Sequence, residues 1–190
     1  MSDHSPQAIR AEALESLLIE QGLLSESAVD DTIALFNDRV GPLNGARVVA
    51  RAWSDPEFKT ALLEDGTAAI APFEFQGGEV QKLVVVENTP EVHNAVVCTL
   101  CSCYPWALLG LPPTWYKDPA YRSRIVREPR KVLSEFGLEV PAEKEVRIWD
   151  SSAEVRYLVL PERPAGTDDL DEDALAALVP REAMIGVAVL

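Results

Sequence analysis

Between residues 8 and 65, apolar positions recur at the spacing of helices that bury one face. Ile9, Leu14, Leu17 and Leu18 lead the pattern, and Gly22 closes the first segment. Ser27, with Asp30 three residues on, marks a second start in a weaker form of the capping box. Its apolar positions run through Ile33, Leu35, Phe36 and Val40 until Gly41-Pro42 stops the helix. Asn44 is expected to cap a third helix carrying Val48, Val49, Ala52 and Trp53. Asp55-Pro56 then sets a cap and a first-turn proline ahead of Phe58, Leu62 and Leu63, in a helix that runs to Gly66. Two readings of this segment stand side by side: a helical layer on the core, or an arm clasping a second subunit.

From residue 73 the period shortens. Leu83-Val84-Val85-Val86 and Ala95-Val96-Val97 are short β-branched runs joined by the polar turn Asn88-Thr89-Pro90. Val146-Arg147-Ile148-Trp149 and Tyr157-Leu158-Val159-Leu160 predict two more strands, and Ile185 to Leu190 a last one. Residues 119–136 read as helical, split by Pro129, and Leu170 to Leu178 as a short acidic helix.

Charge narrows the function classes. A net charge of -14 argues against nucleic acid as a partner, because phosphate contacts need clustered Lys and Arg. No uninterrupted apolar stretch reaches the length of a membrane span, so no membrane partner is expected. The start Met1-Ser2-Asp3-His4-Ser5-Pro6 lacks the basic and apolar regions of a signal peptide, and the expected location is cytoplasmic. One dense positive run stands out: Lys117, Arg122, Arg124, Arg127, Arg130 and Lys131. It reads as a solvated helix face, as electrostatic support for an anionic metal centre, or as a subunit contact.

All three cysteines fall in Cys98-Thr99-Leu100-Cys101-Ser102-Cys103, where the second β-branched run ends. Thiols concentrated at one point suggest a metal site before a disulfide framework. Structural zinc wants four ligands, and His93 is the one histidine close enough in sequence to be the fourth, although packing is the commoner role for such a residue. An iron–sulfur cluster usually takes four cysteines. A further arrangement uses the backbone. With a small residue between Cys101 and Cys103, the amide nitrogens of Ser102 and Cys103 can join both sulfurs in a planar set, with Cys98 approaching from one side and a position left open for water or substrate. The expected fold is α+β: an N-terminal helical arm over residues 1–66, then a mixed α/β core over 67–190 carrying a metal-binding loop at a strand end, the two forming one structural unit.

The stretch from Val97 to Trp106 resembles the metal-binding segment of nitrile hydratase α subunits. The likeness continues through Leu109-Gly110-Leu111-Pro112-Pro113, Trp115-Tyr116-Lys117, Arg127 to Leu133 and Arg163 to Thr167, and upstream through Val40-Gly41-Pro42 and Asn44 to Val49. The resemblance implies hydration of a small nitrile to its amide at a low-spin non-corrin cobalt(III), with iron(III) as the alternative. It implies Cys98 as thiolate, Cys101 as sulfinate and Cys103 as sulfenate, with Ser102 and Cys103 giving amide nitrogens. Thr99 and Tyr104 resemble the cobalt type. Trp106 is implied as a pocket wall, and Glu79, Asp150 and Arg156 as residues supporting the centre, with a core tryptophan and plain salt bridges as the plainer readings. The resemblance also implies a β subunit as partner and a transient activator protein for metal loading. The metal-bearing subunit of thiocyanate hydrolase shares the same cysteine core, and a non-catalytic zinc-binding interaction module is the rival from another class.

Overall fold

The computed structural model describes residues 6–36, 40–75 and 82–190. The chain divides into two compact units, residues 1–35 and 36–190. The first holds α1 (Pro6–Glu20) and α2 (Ala28–Leu35). Gly22, at φ 68°, ends α1 in a Schellman closure: its amide donates to Ile19 and that of Leu23 to Leu18. Neither helix contains a buried residue. Ser27 directly precedes α2, and its hydroxyl donates to the Asp31 carboxylate, 2.8 Å away, rather than accepting from the backbone amide of Asp30 as a capping box would have it.

The second unit begins at Phe36, so two helices that the sequence groups with the arm lie inside it. α3 (Leu43–Ser54) buries Ala46, Val48, Val49, Ala50 and Ala52 in the main core around most of its circumference, leaving an exposed stripe of Leu43, Arg47, Arg51 and Ser54. Asn44 is not the cap of α3: the helix has already started at Leu43, and the buried Asn44 amide donates to the Ala107 carbonyl at 2.9 Å. A buried polar side chain needs such a partner, and this one ties α3 to the segment after the cysteines. Asp55 caps α4 (Pro56–Glu64) as expected, accepting from the amides of Glu57 and Phe58. Asp65 repeats the device for α5 (Gly66–Ile70), so Gly66 opens a helix.

All four internal strands form where the β-branched runs lie: β1 (Lys82–Glu87), β2 (Val92–Val97), β3 (Glu145–Asp150) and β4 (Val155–Leu160). Their pairing is long-range. β1 runs parallel to β4, with Val85 opposite Leu158, and β2 runs parallel to β3, with Val97 opposite Asp150. Five consecutive residues of β2, His93 to Val97, are buried, the burial of both strand faces that parallel pairing allows. The Asn88-Thr89-Pro90 turn is present, closed by reciprocal bonds between Thr89 and Val92, but the strands it joins pair elsewhere.

Short helices fill the rest: α6 (Trp106–Leu109), α7 (Thr114–Lys117), α8 (Pro119–Arg124), α9 (Pro129–Glu135), α10 (Glu172–Ala177) and α11 (Arg181–Ile185). The break between α8 and α9 falls ahead of Pro129, whose ring excludes helical geometry at Glu128. The last expected strand does not form. Ile185 ends α11, and Gly186 turns the chain at φ 89° with its backbone pressed on β2, where a Cβ would lie 2.0 Å from the Asn94 carbonyl oxygen.

Candidate metal centre

Burial sets up the centre. Val97 and Cys98 are enclosed at the end of β2, and the chain then emerges abruptly, with Cys98 1% and Leu100 89% exposed. Within this turn the sulfurs converge. Cys98 Sγ lies 3.3 Å from Cys101 Sγ, which lies 3.1 Å from Cys103 Sγ, and all three fall within 4.8 Å of one another. These separations far exceed a disulfide bond of about 2.05 Å, and the cysteines are free. The Cys101 amide donates to Cys98 Sγ at 3.3 Å, drawing the loop back over its first sulfur.

The loop is held from three directions. Asp150, opposite Val97 at the end of β3, accepts from the Thr99 amide at 2.9 Å and from its hydroxyl at 2.6 Å. Arg122 on α8 donates from Nη1 to the Cys101 carbonyl at 3.0 Å. Tyr116 on α7 donates from its hydroxyl to the Cys103 carbonyl, also at 3.0 Å. Burial raises the Tyr116 pKa well above that of an ordinary phenol, so it stays a donor at neutral pH.

The sulfurs titrate as a group. Hydrogen bonds from the Cys103 and Cys98 thiols, joined by the backbone amides of Cys103 and Ser102, bring the Cys101 thiol down to about 7. Burial, with the adjoining sulfurs, pushes Cys103 up to about 12, against which the Arg156 guanidinium pulls weakly. Of Cys101 and Cys103, negative charge therefore settles first on Cys101, the central sulfur, which is where a cation would be drawn.

Among the residues expected from sequence, Asp150 and Arg156 are brought to this loop. Arg156 lies on β4 opposite Leu83, donates to the Ser152 carbonyl and places its charge toward Cys103. Trp106 opens α6 with its ring edge-on to Phe36 at 5.7 Å; at 42% exposed it is not a core tryptophan. Glu79 lies outside the described residues. His93 is buried on β2, with Nε2 2.8 Å from the Gly186 carbonyl and Nδ1 facing the Asn88 amide at 3.5 Å. Both ring nitrogens are thus engaged away from the sulfurs, which removes the fourth ligand that a closed zinc site would need. Tyr116 and the specific contact of Arg122 carry no sequence signature, because both act on backbone carbonyls.

The family model described as "Nitrile hydratase, alpha chain" matches residues 5–188. The chain belongs to the nitrile hydratase alpha-chain family. It is 58% identical to the cobalt-containing nitrile hydratase subunit alpha of Pseudonocardia thermophila, over 94% of this chain and 88% of the relative. It is 46% identical to the thiocyanate hydrolase subunit gamma of Thiobacillus thioparus, over 93% of this chain and 77% of that one. Among solved structures it is similar to a double histidine mutant of the Fe-type nitrile hydratase from Comamonas testosteroni Ni1. That similarity has a TM-score of 0.88 at 44% identity and covers 100% of this chain and 92% of the other.

The alpha-chain loop of this protein fits a metal on its own chemistry. Three sulfurs converge, two backbone amides point at the central one, and such a soft donor set suits a transition metal. Among the described residues no helix is long and apolar enough to cross a membrane.

Proposed function

We propose that this chain is the metal-bearing alpha subunit of a nitrile hydratase, which hydrates a small nitrile to the corresponding amide at a low-spin, non-corrin cobalt(III) centre. One observation carries the reading: three cysteine sulfurs within 4.8 Å of one another at the end of a buried strand, in a chain matched by the alpha-chain family over residues 5–188. Cobalt is favoured over iron because identity is 58% to the cobalt-containing relative and 44% to the Fe-type structure.

Cys98, Cys101 and Cys103 would hold the metal through sulfur, and Ser102 and Cys103 through their amide nitrogens. The bound metal supplies Lewis acidity toward the nitrile or toward water. Cys101 would be a sulfinate and Cys103 a sulfenate, successive rungs of thiol oxidation, and the Cys103 oxygen would take a proton from water or attack the nitrile carbon. Asp150 fixes the first turn of the loop through Thr99, and Arg156 offsets negative charge at Cys103. Trp106, half exposed beside Phe36, serves as a pocket wall, and Glu79 as a further supporting carboxylate. The subunit names of the relatives support assembly with further subunits, here a β subunit; the complex would work in the cytoplasm, where an activator protein would deliver cobalt.

Intact-mass spectrometry with metal analysis of the same sample tests the reading. Three added oxygens and about one cobalt per chain are expected. Iron in place of cobalt would keep the reaction and overturn the metal. Turnover of thiocyanate but not nitriles would move the chain to the thiocyanate hydrolase reaction. Zinc on unmodified thiols in the assembled protein would sink the proposal.

A further inference from the structure

We propose that Arg122 is a positioning residue for the metal loop in an electronic as well as a geometric sense. Its guanidinium stabilises the negative charge that a metal-bound Ser102 amide nitrogen shares with the Cys101 carbonyl oxygen. The inference rests on the reading that Ser102 is a backbone ligand, and it deepens that reading by assigning a residue on another element to support it.

The argument begins with the peptide bond. The Cys101 carbonyl and the Ser102 nitrogen form one conjugated unit, so charge placed on the nitrogen appears in part on that oxygen. Arg122 Nη1 lies 3.0 Å from this oxygen, at normal hydrogen-bond length. A guanidinium keeps its charge at any relevant pH, and a hydrogen bond between ionised partners is roughly twice as strong as a neutral one.

Arg122 is also a cation that no carboxylate claims among the described residues. Arg124, two residues on, is tied to Glu128 and Glu135 at 2.6 Å each. Among the described residues no carboxylate lies within ion-pair distance of Arg122. Its Nε is buried without a hydrogen-bond partner among them. One guanidinium nitrogen kept from water without a partner is costly in the protein alone, and negative charge in the loop offsets part of that cost.

Tyr116 supplies the internal control. Its hydroxyl reaches the Cys103 carbonyl at the same 3.0 Å. That carbonyl is conjugated to the nitrogen of Tyr104, which is not a proposed ligand. Two contacts of equal length thus grip the loop, and only one of them lies on a ligating peptide.

The experiment uses the full chain in the assembly in which it purifies, loaded with cobalt. Wild type, Arg122→Gln, Arg122→Met and Tyr116→Phe are compared by cobalt retained against a competing chelator and by the position of the sulfur-to-cobalt charge-transfer band. X-ray absorption of the wild type is recorded alongside. Both Arg122 variants should lose about tenfold or more in cobalt retention and shift the band, while Tyr116→Phe leaves the band in place. If Arg122→Gln keeps the wild-type band and retention, or Tyr116→Phe shifts the band equally, the inference is overturned while backbone ligation stands. Wild-type cobalt with sulfur but no nitrogen neighbours would overturn the ligation reading itself. Should the neutral variants fail to melt cooperatively, Arg122→Lys decides. A wild-type band and cobalt retention in that folded, charge-retaining variant are expected, and a displaced band with about tenfold lower retention overturns the inference.

Discussion

The two ends of β2 carry polar groups of opposite character. Near its start, Asn94 is a closed hub: its side-chain amide donates to the Glu87 carbonyl at 2.7 Å and to Asn88 Oδ1 at 3.1 Å, and its oxygen accepts from Trp149 Nε1 at 2.8 Å. His93 beside it is engaged through both ring nitrogens. At the far end the cysteine sulfurs find mainly one another, and the loop opens to solvent at Leu100 and Cys101. One strand thus holds a polar cluster completed by its own chain and another completed only by something bound. Satisfied groups hold the fold, and unsatisfied convergent donors take a ligand.

The largest expected effect falls on the open end. Cys101→Ala removes the central sulfur and should abolish both cobalt binding and nitrile hydration, read by metal analysis and turnover, while the melting temperature of the metal-free chain shifts little. Cobalt at wild-type stoichiometry in that variant would break the comparison. At the closed end, Asn94→Ala should reverse the pattern. It strands Trp149 Nε1 and removes the donor to the Glu87 carbonyl, while Asn88 Oδ1 keeps the Asn94 backbone amide, and the loss of these two bonds costs about 3 kcal/mol in denaturant unfolding. The folded fraction should still bind cobalt. Between these extremes, Asp150→Asn weakens the grip on Thr99 and should cost up to about tenfold in cobalt retention, since a charge-assisted hydrogen bond is replaced by a neutral one.

The same contrast explains what the sequence made legible. The four internal strands were readable because β-branched runs with nearly continuous burial leave a dense local signal. Their partners were not, since β1 pairs with residues 155–160 and nothing in either run specifies that distance. The segment from Ile185 to Leu190 carries the same apolar signal yet forms no strand, because Gly186 takes a left-handed turn against β2. Asn44 looked like a cap by type and position, but a tertiary partner at Ala107 claimed it. At the centre, the sulfurs were legible from spacing and resemblance. The grips of Arg122 and Tyr116 were not, because a hydrogen bond to a backbone carbonyl leaves no trace in the residues it holds.

The smallest effect sharpens the closed end. Burial lowers the His93 pKa below its ordinary value near 6.5, opposed by its bond to the Gly186 carbonyl. The unfolded chain therefore binds the proton more readily than the folded one. Stability contributed by neutral His93 is complete above about pH 6.5 and is lost progressively as pH falls toward the lowered folded value. His93→Gln keeps a polar group facing Gly186 but cannot titrate. Relative to wild type it should flatten the unfolding free energy below about pH 6.5, leaving cobalt retention at neutral pH unaltered. If instead His93→Gln lost its metal while remaining folded, the histidine would belong to the centre, and the division of β2 into a closed and an open end would fail.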